Sequence, residues 1–379
     1  MSFFILKLLK KLVYAPSISP DDMGCQKIIS NELCKIGFSI VNFDIQDTKN
    51  MWAEIGNRQG KTINFLGHTD VVPPGDLSKW KFNPFVPTIY KNNIFGRGVV
   101  DMKGAISAFI ASVKEFLYEY RNSMNGRITI LLTSDEEGSA KNGIKKVVNK
   151  LIKKKEKIDY CIVGEPTSID VLGDTIKNGR RGSLHVYIYF IGTIRHIAYT
   201  KFSENLIHKA CLFINDLTKF NWNENIKNAD ERTVVQVYKI FSDPVVENVI
   251  SDSLFTKINF RFSYKTSIEF IKSSVIMLLK LHDIKYSINW KLSGNSFITK
   301  DGNLLQAVKD TIKFFNRKEP KVCTSGGTSD GRFIHKMNSE IIELGLINKT
   351  IHKTNEFSKI SDLKKLSIIY KETIKKLLT

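Results

Sequence analysis

The sequence predicts an α/β fold, a mainly parallel sheet covered by helices on both faces, interrupted by an inserted ferredoxin-like α+β domain. Two observations predict it. Through the first 180 residues, short apolar runs such as TINFLG, RITILLT and DYCIV alternate with amphipathic helical stretches. A helix between consecutive buried strands makes those strands parallel. From about residue 181 the runs alternate at period two and follow the order strand, helix, strand, strand, helix, strand. That order is the ferredoxin-like arrangement. The α/β texture returns after SGNS, so the chain divides into 1–180, 181–294 and 295–379, the first and last parts forming one domain.

Each element has its own signal. MSFFILKLLKKLVYA predicts an amphipathic helix over residues 3–13. Its lysines leave no uncharged stretch of the roughly 18 residues a bilayer span needs. A secretory signal would carry its positive charge before the apolar core, so a cytoplasmic protein is expected. SPDDMGCQKIISNELCKIGF reads as a second helix with Ser19 as N-cap, Pro20 at the first position, Asp21 and Asp22 in the first turn and Gly37 near the stop. TINFLG (62–67) is a strand. MKGAISAFIASVKEFLYEY sets Ile106, Phe109, Ile110, Val113, Phe116 and Leu117 on one helical face. RITILLT, helix NGIKKVVNKLIKK and strand DYCIVGE follow. In the inserted domain SLHVYIYFI, TVVQVYKI, LFTKINFRFSY and KYSINWKLS are strands, and SENLIHKACLFINDLTKF and TSIEFIKSSVIMLLKL are helices. The chain closes with helix GNLLQAVKDTIKFF, strand EIIELG and a helix from about Asp362 to Leu378.

The net charge of +19 is large, but the lysines are spread along the whole length, with one dense run on a predicted helix, VVNKLIKKKEKID. That is the pattern of a solvated face, so neither a nucleic-acid nor a membrane partner is expected. A basic excess favours an anionic small-molecule substrate. Five cysteines, Cys25, Cys34, Cys161, Cys211 and Cys323, form no CxxC pair and read as thiols of a reducing compartment.

In an open parallel sheet, ligands sit beyond the carboxyl ends of the strands. Polar residues gather at those exits. HTD follows TINFLG and places His68 and Asp70 two apart, so that Asp70 can accept the ring hydrogen bond of His68 and set its tautomer. GRGVVDMKG presents Asp101 ahead of a helix, TSDEEGS presents Glu136 and Glu137, CIVGEPTS presents Glu165, and INKTIHKTNE presents His352. Singly, these are ordinary loop histidines, caps and solvated carboxylates. Together, two histidines and several carboxylates suit two divalent first-row ions, zinc foremost. Two cations also account for Glu136 beside Glu137: one carboxylate ligates while its neighbour stays free as a base.

GHTDVVPPGD, GRGVVDMKG, SDEEG, GEPTS, GRRGSL, RHIAY, FRFS, SGGTSDGRF and TIHKTNE, in that order, resemble the motifs of the di-zinc amidohydrolase and exopeptidase family that includes the aminoacylases and acetylornithine deacetylase. The resemblance covers almost the whole chain. It implies a di-metal hydrolase domain with an inserted dimerisation, or lid, domain. It implies that Asp101 bridges two zinc ions (cobalt being the alternative), that His68 and Glu165 complete one site and Glu137 and His352 the other, and that Glu136 is the general base and acid with Asp70 supporting His68. It also implies a cis peptide after Asp101. A homodimer formed through the inserted domain would bring His196 to the partner chain's site. Arg180, Arg181, Ser183, Tyr199, Asn248, Arg261 and Thr328 match substrate-binding positions, and GRRGSL with SGGTSDG suits a multiply anionic amide. Departures from the family pattern lie in the inserted domain, where Arg195 and Thr200 replace a glycine and a proline and SDPVVENVIS replaces a glycine-rich loop. The rival readings are another amide hydrolase of the family, a deacetylase or dipeptidase, and a non-catalytic basic binding protein.

Overall fold

The computed structural model describes residues 2–224, 226–242 and 246–379. Of the departing loop SDPVVENVIS, Asp243, Pro244 and Val245 lie outside the described residues. The chain forms two compact units. One comprises the chain up to Gly179, Thr299–Cys323 and Ser329–Thr379, and the other comprises Arg180–Ile298 and Thr324–Thr328.

The strands of the two larger sheets, in chain order, are β1 (Ser39–Asn42), β2 (Asn50–Gly56), β3 (Lys61–His68), β4 (Gly126–Thr133), β5 (Tyr160–Val163), β6 (Thr175–Lys177), β7 (Gly182–Ile191), β8 (Val234–Phe241), β9 (Ser253–Phe262), β10 (Lys285–Gly294), β11 (Lys321–Cys323) and β12 (Glu340–Glu343). The longer helices are α1 (Ser2–Tyr14), α2 (Cys25–Cys34), α3 (Gly104–Tyr120), α4 (Ile144–Lys153), α5 (Leu206–Lys219), α6 (Ile268–Leu281), α7 (Asn303–Asn316) and α8 (Ile360–Leu378).

In the first unit an eight-stranded sheet runs β1-β2-β4-β3-β5-β12-β6-β11. Its centre, β4-β3-β5-β12, is parallel, while β1 and β2 join antiparallel at one edge. β6 is antiparallel to β12 and parallel to β11. The central strands are the near-continuous apolar runs read from the sequence, because both of their faces are covered. The short outer strands β1, β6 and β11 carry too few residues for any period to declare itself.

Two local expectations are corrected. Ser19 is not a helix N-cap and Pro20 not a first helical residue: α2 starts at Cys25, after Gly24 in a left-handed conformation. The backbone at 18–19 is drawn to the sheet, with Ile18 bridged to Val71 and the Ser19 N–H donating to the Val71 carbonyl. Asp22 serves the helix start instead, accepting from the Gln26 N–H at 3.0 Å. Second, α3 is not one-faced. Gly104 to Val113 are all buried, because α1 and α8 pack on the helix and Phe65 of the sheet meets its Phe109. Phe65 of β3 stacks on Phe109 of α3 at 4.3 Å between ring centres, and both meet Tyr370 of α8 edge-on. The Tyr370 hydroxyl donates to the Leu344 carbonyl just past β12, so this aromatic cluster fastens α8 to the strand exit that leads to His352. Truncating a buried phenylalanine in such a cluster costs about 3–5 kcal/mol.

The second unit is an antiparallel sheet in the order β8-β9-β7-β10, with α5 and α6. Its core comes from alternate residues, Leu184, Val186, Ile188 and Phe190 on β7 facing Ile258 and Phe260 on β9. The order matches the ferredoxin-like connectivity. Segment Thr324–Thr328 groups with this unit, since Arg180 Nη1 donates to the carbonyls of Ser325 and Gly327 and the Thr324 hydroxyl donates to Asp230.

Candidate metal centre

The parallel strands end level with one another: His68 stands opposite Thr133, and Val163 opposite both Leu66 and Glu343. The loops leaving these ends therefore share one rim of the sheet. His68 closes β3 and is fully buried. Its Nδ1 lies 2.9 Å from the backbone carbonyl of Asp70 and 3.5 Å from the Asp70 carboxylate. The carbonyl is thus the nearer partner of the ring, where the sequence suggested the carboxylate. The carboxylate is occupied elsewhere, accepting the backbone N–H groups of Glu136 (3.2 Å) and Glu137 (3.1 Å). One aspartate therefore orients the histidine through its backbone and shapes the glutamate loop through its side chain.

The three acids after β4 divide their work. Asp135 is buried and accepts from the N–H groups of Ala140 and Asn142, which folds the loop back on itself. Glu136 and Glu137 are left for the rim. Asp101 arrives at a kink within Val99–Lys103, entered through Gly98 at φ +84°, where Asp101 and Met102 have non-helical backbone angles. The Asp101–Met102 peptide is cis. Asp101 Oδ1 is 3.1 Å from His68 Nε2, and its Oδ2 is 3.2 Å from His352 Nε2. Glu165 lies 3.7 Å from His68 Nε2, and Glu137 2.8 Å from His352 Nε2. Among the described residues two candidate ligand groups result. Donor atoms of His68, Asp101 and Glu137 lie within 4.8 Å of one another, and so do those of His68, Glu136 and Glu165.

The electrostatics follow from this crowding. Burial and the nearby Glu165 push the Glu136 carboxyl well above the usual carboxylate range. Burial acts against charge on the His68 ring, but Asp101 and Asp70 hold its pKa well above the ordinary value. Hydrogen bonds to Asp101 and Glu137 raise His352 to about 10. Burial works against ionised Asp101, yet His352 and His68 keep it below its ordinary value. Without metal, the surrounding carboxylates favour the protonated form of both imidazoles. The donor set fits two divalent ions: nitrogen and oxygen ligands, with one carboxylate turning a separate oxygen toward each histidine.

Among the substrate-binding candidates, Ser183 pairs with Arg261 across β7 and β9. Arg181 and Arg261 are half-buried, and the pKa of each is lowered, Arg181's by burial and then by Arg261's charge, Arg261's by burial, while both guanidinium groups stay charged. Arg180 is buried on the Ser325 and Gly327 carbonyls, next to Thr328 in sequence. A second cluster joins His196, Tyr199 and Asn248. The Tyr199 ring is 5.2 Å from His196, Asn248 Nδ2 is 3.5 Å from its Nε2, and residues 195–196 pair with 249–250.

Sequence reasoning missed Asp330, inside the motif SGGTSDGRF. It is buried, neither carboxylate oxygen has a hydrogen-bond partner, and burial pushes it up to about 6, with Arg332 4.0 Å away. It also missed the joint role of Arg97 and Glu356, described below.

Residues 65–376 match the sequence model of peptidase family M20/M25/M40. A succinyl-diaminopimelate desuccinylase of Buchnera aphidicola subsp. Acyrthosiphon pisum (strain APS) is 47% identical over 379 residues, covering 100% of both chains. Among solved structures, an aminopeptidase PepT from Bacillus cereus superposes with a TM-score of 0.79 at 16% identity, covering 100% of this chain and 99% of that one. A dinuclear metal binding peptidase of the M20 family from Bacillus subtilis gives 0.73 at 16% identity, covering 98% and 97%. These distant structures establish the shared fold.

Proposed function

The chain belongs to peptidase family M20/M25/M40, and on that premise we propose that it hydrolyses N-succinyl-LL-2,6-diaminopimelate to succinate and LL-2,6-diaminopimelate, a step of lysine and diaminopimelate biosynthesis. The 47% identity to a curated desuccinylase over the whole of both chains carries this reading. The rim of His68, Asp101, Glu136, Glu137, Glu165 and His352 supplies the chemistry it needs.

Asp101 is the proposed bridge between two ions, with His68 and Glu165 on one and Glu137 and His352 on the other. Zinc suits this nitrogen and oxygen set, and cobalt is the alternative. Bound there, such ions polarise an amide carbonyl and bring the pKa of a water toward neutrality. Glu136 takes the proton of the attacking water and returns it to the leaving amine. Its raised pKa suits both steps, because a base must also become the acid. Asp70 keeps the His68 ring and the Glu136 backbone in register.

The substrate carries three carboxylates, which forked guanidinium donors recognise. Arg180, Arg181 and Arg261, with Ser183 and Thr328, are proposed to bind them. We further propose a homodimer through the second unit, in which His196, with Tyr199 and Asn248, reaches the partner chain's site and donates to the developing oxyanion. Five unpaired cysteines support a reducing, cytoplasmic setting. Among the described residues no helix is long and apolar enough to cross a membrane.

The test is an assay of purified, metal-loaded protein on N-succinyl-LL-2,6-diaminopimelate and N-acetylornithine in parallel. Preference for the first is expected. Preference for the second would move the chain to another member of the family, and no hydrolysis of either would remove the assignment.

A further inference from the structure

We propose that the buried Arg97–Glu356 pair is a positioning clamp for the metal centre, fixing the Asp101 loop against the His352 loop and so governing the Glu137–His352 half of the site more than the His68–Glu165 half. Arg97 is the central residue of the motif GRG and Glu356 closes TIHKTNE, and both are buried, at 2% and 0% exposure. Arg97 Nη1 donates to Glu356 Oε2 at 2.7 Å.

Each side chain then reaches into the other's loop. Glu356 accepts from the backbone N–H groups of Gly98 (3.0 Å), Val100 (2.7 Å) and Asp101 (3.3 Å). Arg97 donates to the carbonyls of His352 (3.4 Å), Lys353 (3.2 Å) and Pro73 (3.4 Å). His352 itself has φ +58°, in the left-handed region that residues with a Cβ seldom adopt. Such a conformation persists where its surroundings hold it. Here Arg97 grips the carbonyl of that same residue. Asn355, at φ +61°, is held from the other side, its amide exchanging hydrogen bonds with Lys81 N–H and the Lys79 carbonyl.

A buried ion pair is a weak source of stability, since an apolar pair of like volume often serves as well. What charge alone does here is order backbone N–H and C=O groups on two ligand-bearing loops. The asymmetry follows from the fold. His68 ends β3 and Glu165 follows β5, two strands that pair directly, so the sheet sets their spacing. His352 lies between the Ile347–Ser168 bridge and the short strand 357–359, which pairs with 93–95; it sits on neither, and within that span the clamp sets its place.

This inference rests on the two-metal reading. The experiment is zinc titration of full-length protein against a competing chelator, resolving two dissociation constants for wild type, Glu356→Gln and Arg97→Lys. His352→Ala and His68→Ala assign the constants to the two halves. Disturbing an outer partner of a metal ligand typically weakens binding about 10–100-fold. That loss is expected at the His352 half in both clamp variants, with a much smaller change at the His68 half. Glu156→Gln is the control. It weakens the buried Arg127–Glu156 pair at the opposite end of β4 and should lower the melting temperature with both constants unchanged. If Glu356→Gln does not fold, Arg97→Lys, which keeps the charge and loses the fork, carries the test. Two wild-type ions with unchanged constants in a folded clamp variant, or an equal loss at both halves, would overturn the clamp alone. Fewer than two ions in wild type would overturn the two-metal reading and the clamp with it.

Discussion

Nε2 of His352 lies 3.2 Å from Oδ2 of Asp101, although one residue stands in a loop near the end of the chain and the other in a turn ahead of α3. The opposite oxygen of Asp101 faces His68. A carboxylate so placed between two imidazoles suits the proposed bridge between two cations, which would make the two halves of the site separable by mutation.

Replacing His352 by alanine should therefore cost one metal and spare the other. His68, Glu165 and Asp101 still offer three ligands to the first ion. Elemental analysis after gel filtration should find close to one ion per chain; two ions would remove His352 from the ligand set.

Metal uptake should release protons. The metal-free His352, raised to about 10, and His68, raised well above its ordinary value, both hold a proton at neutral pH. A coordinated imidazole nitrogen cannot hold one. The protonated state is favoured below these raised values, so affinity should fall as pH drops from about 10 through neutrality and recover as pH rises. Calorimetry of zinc binding at pH 7 in buffers of different ionisation heat should show up to about two protons displaced. Binding with no proton release would mean that the carboxylates do not charge these rings.

Glu136→Gln should keep the fold and both ions while turnover falls by about 10²–10⁴-fold, the usual worth of a placed acid–base group. The amide is nearly isosteric and cannot take a proton. Turnover within a few-fold of wild type would exclude Glu136 as the base.

Arg261→Gln should raise KM for the three-carboxylate substrate far more than it lowers kcat. A hydrogen bond to a charged group contributes about 1.5–3 kcal/mol, roughly ten- to a hundredfold in KM. The metal content should not change. An unaltered KM would place Arg261 outside substrate recognition.

Assembly is testable by complementation. Glu136→Gln chains and His196→Ala chains, each nearly inactive alone, should regain activity when subunits exchange, because a heterodimer holds one site with both defects and one with neither. Absence of recovery despite proven exchange would place His196 outside the partner's site. A monomer in solution would end the shared-site model.

The sequence by itself determined the alternation of apolar strands and helices, the period-two unit between them, and the polar residues His68, Glu136, Glu137 and Glu165 at the strand exits, with Asp101 ahead of a helix and His352 in a loop before the last one. These are legible because burial on one or two faces imposes a period on adjacent residues, and because strand ends in a parallel sheet share a rim. Tertiary structure decided the rest. Ser19 looked like a cap until pairing with Val71 claimed its backbone. Asp70 is the ring's acceptor as expected, but through its carbonyl, because the N–H groups of Glu136 and Glu137 take its carboxylate. α3 looked one-faced until α1 and α8 closed over it. The Arg97–Glu356 clamp had no local signal at all. Its two members are separated by most of the chain, and an ion pair writes no periodicity into the residues around it. Only folding brings such charges into the low-dielectric interior where they must pair, and there they come to hold two loops in place.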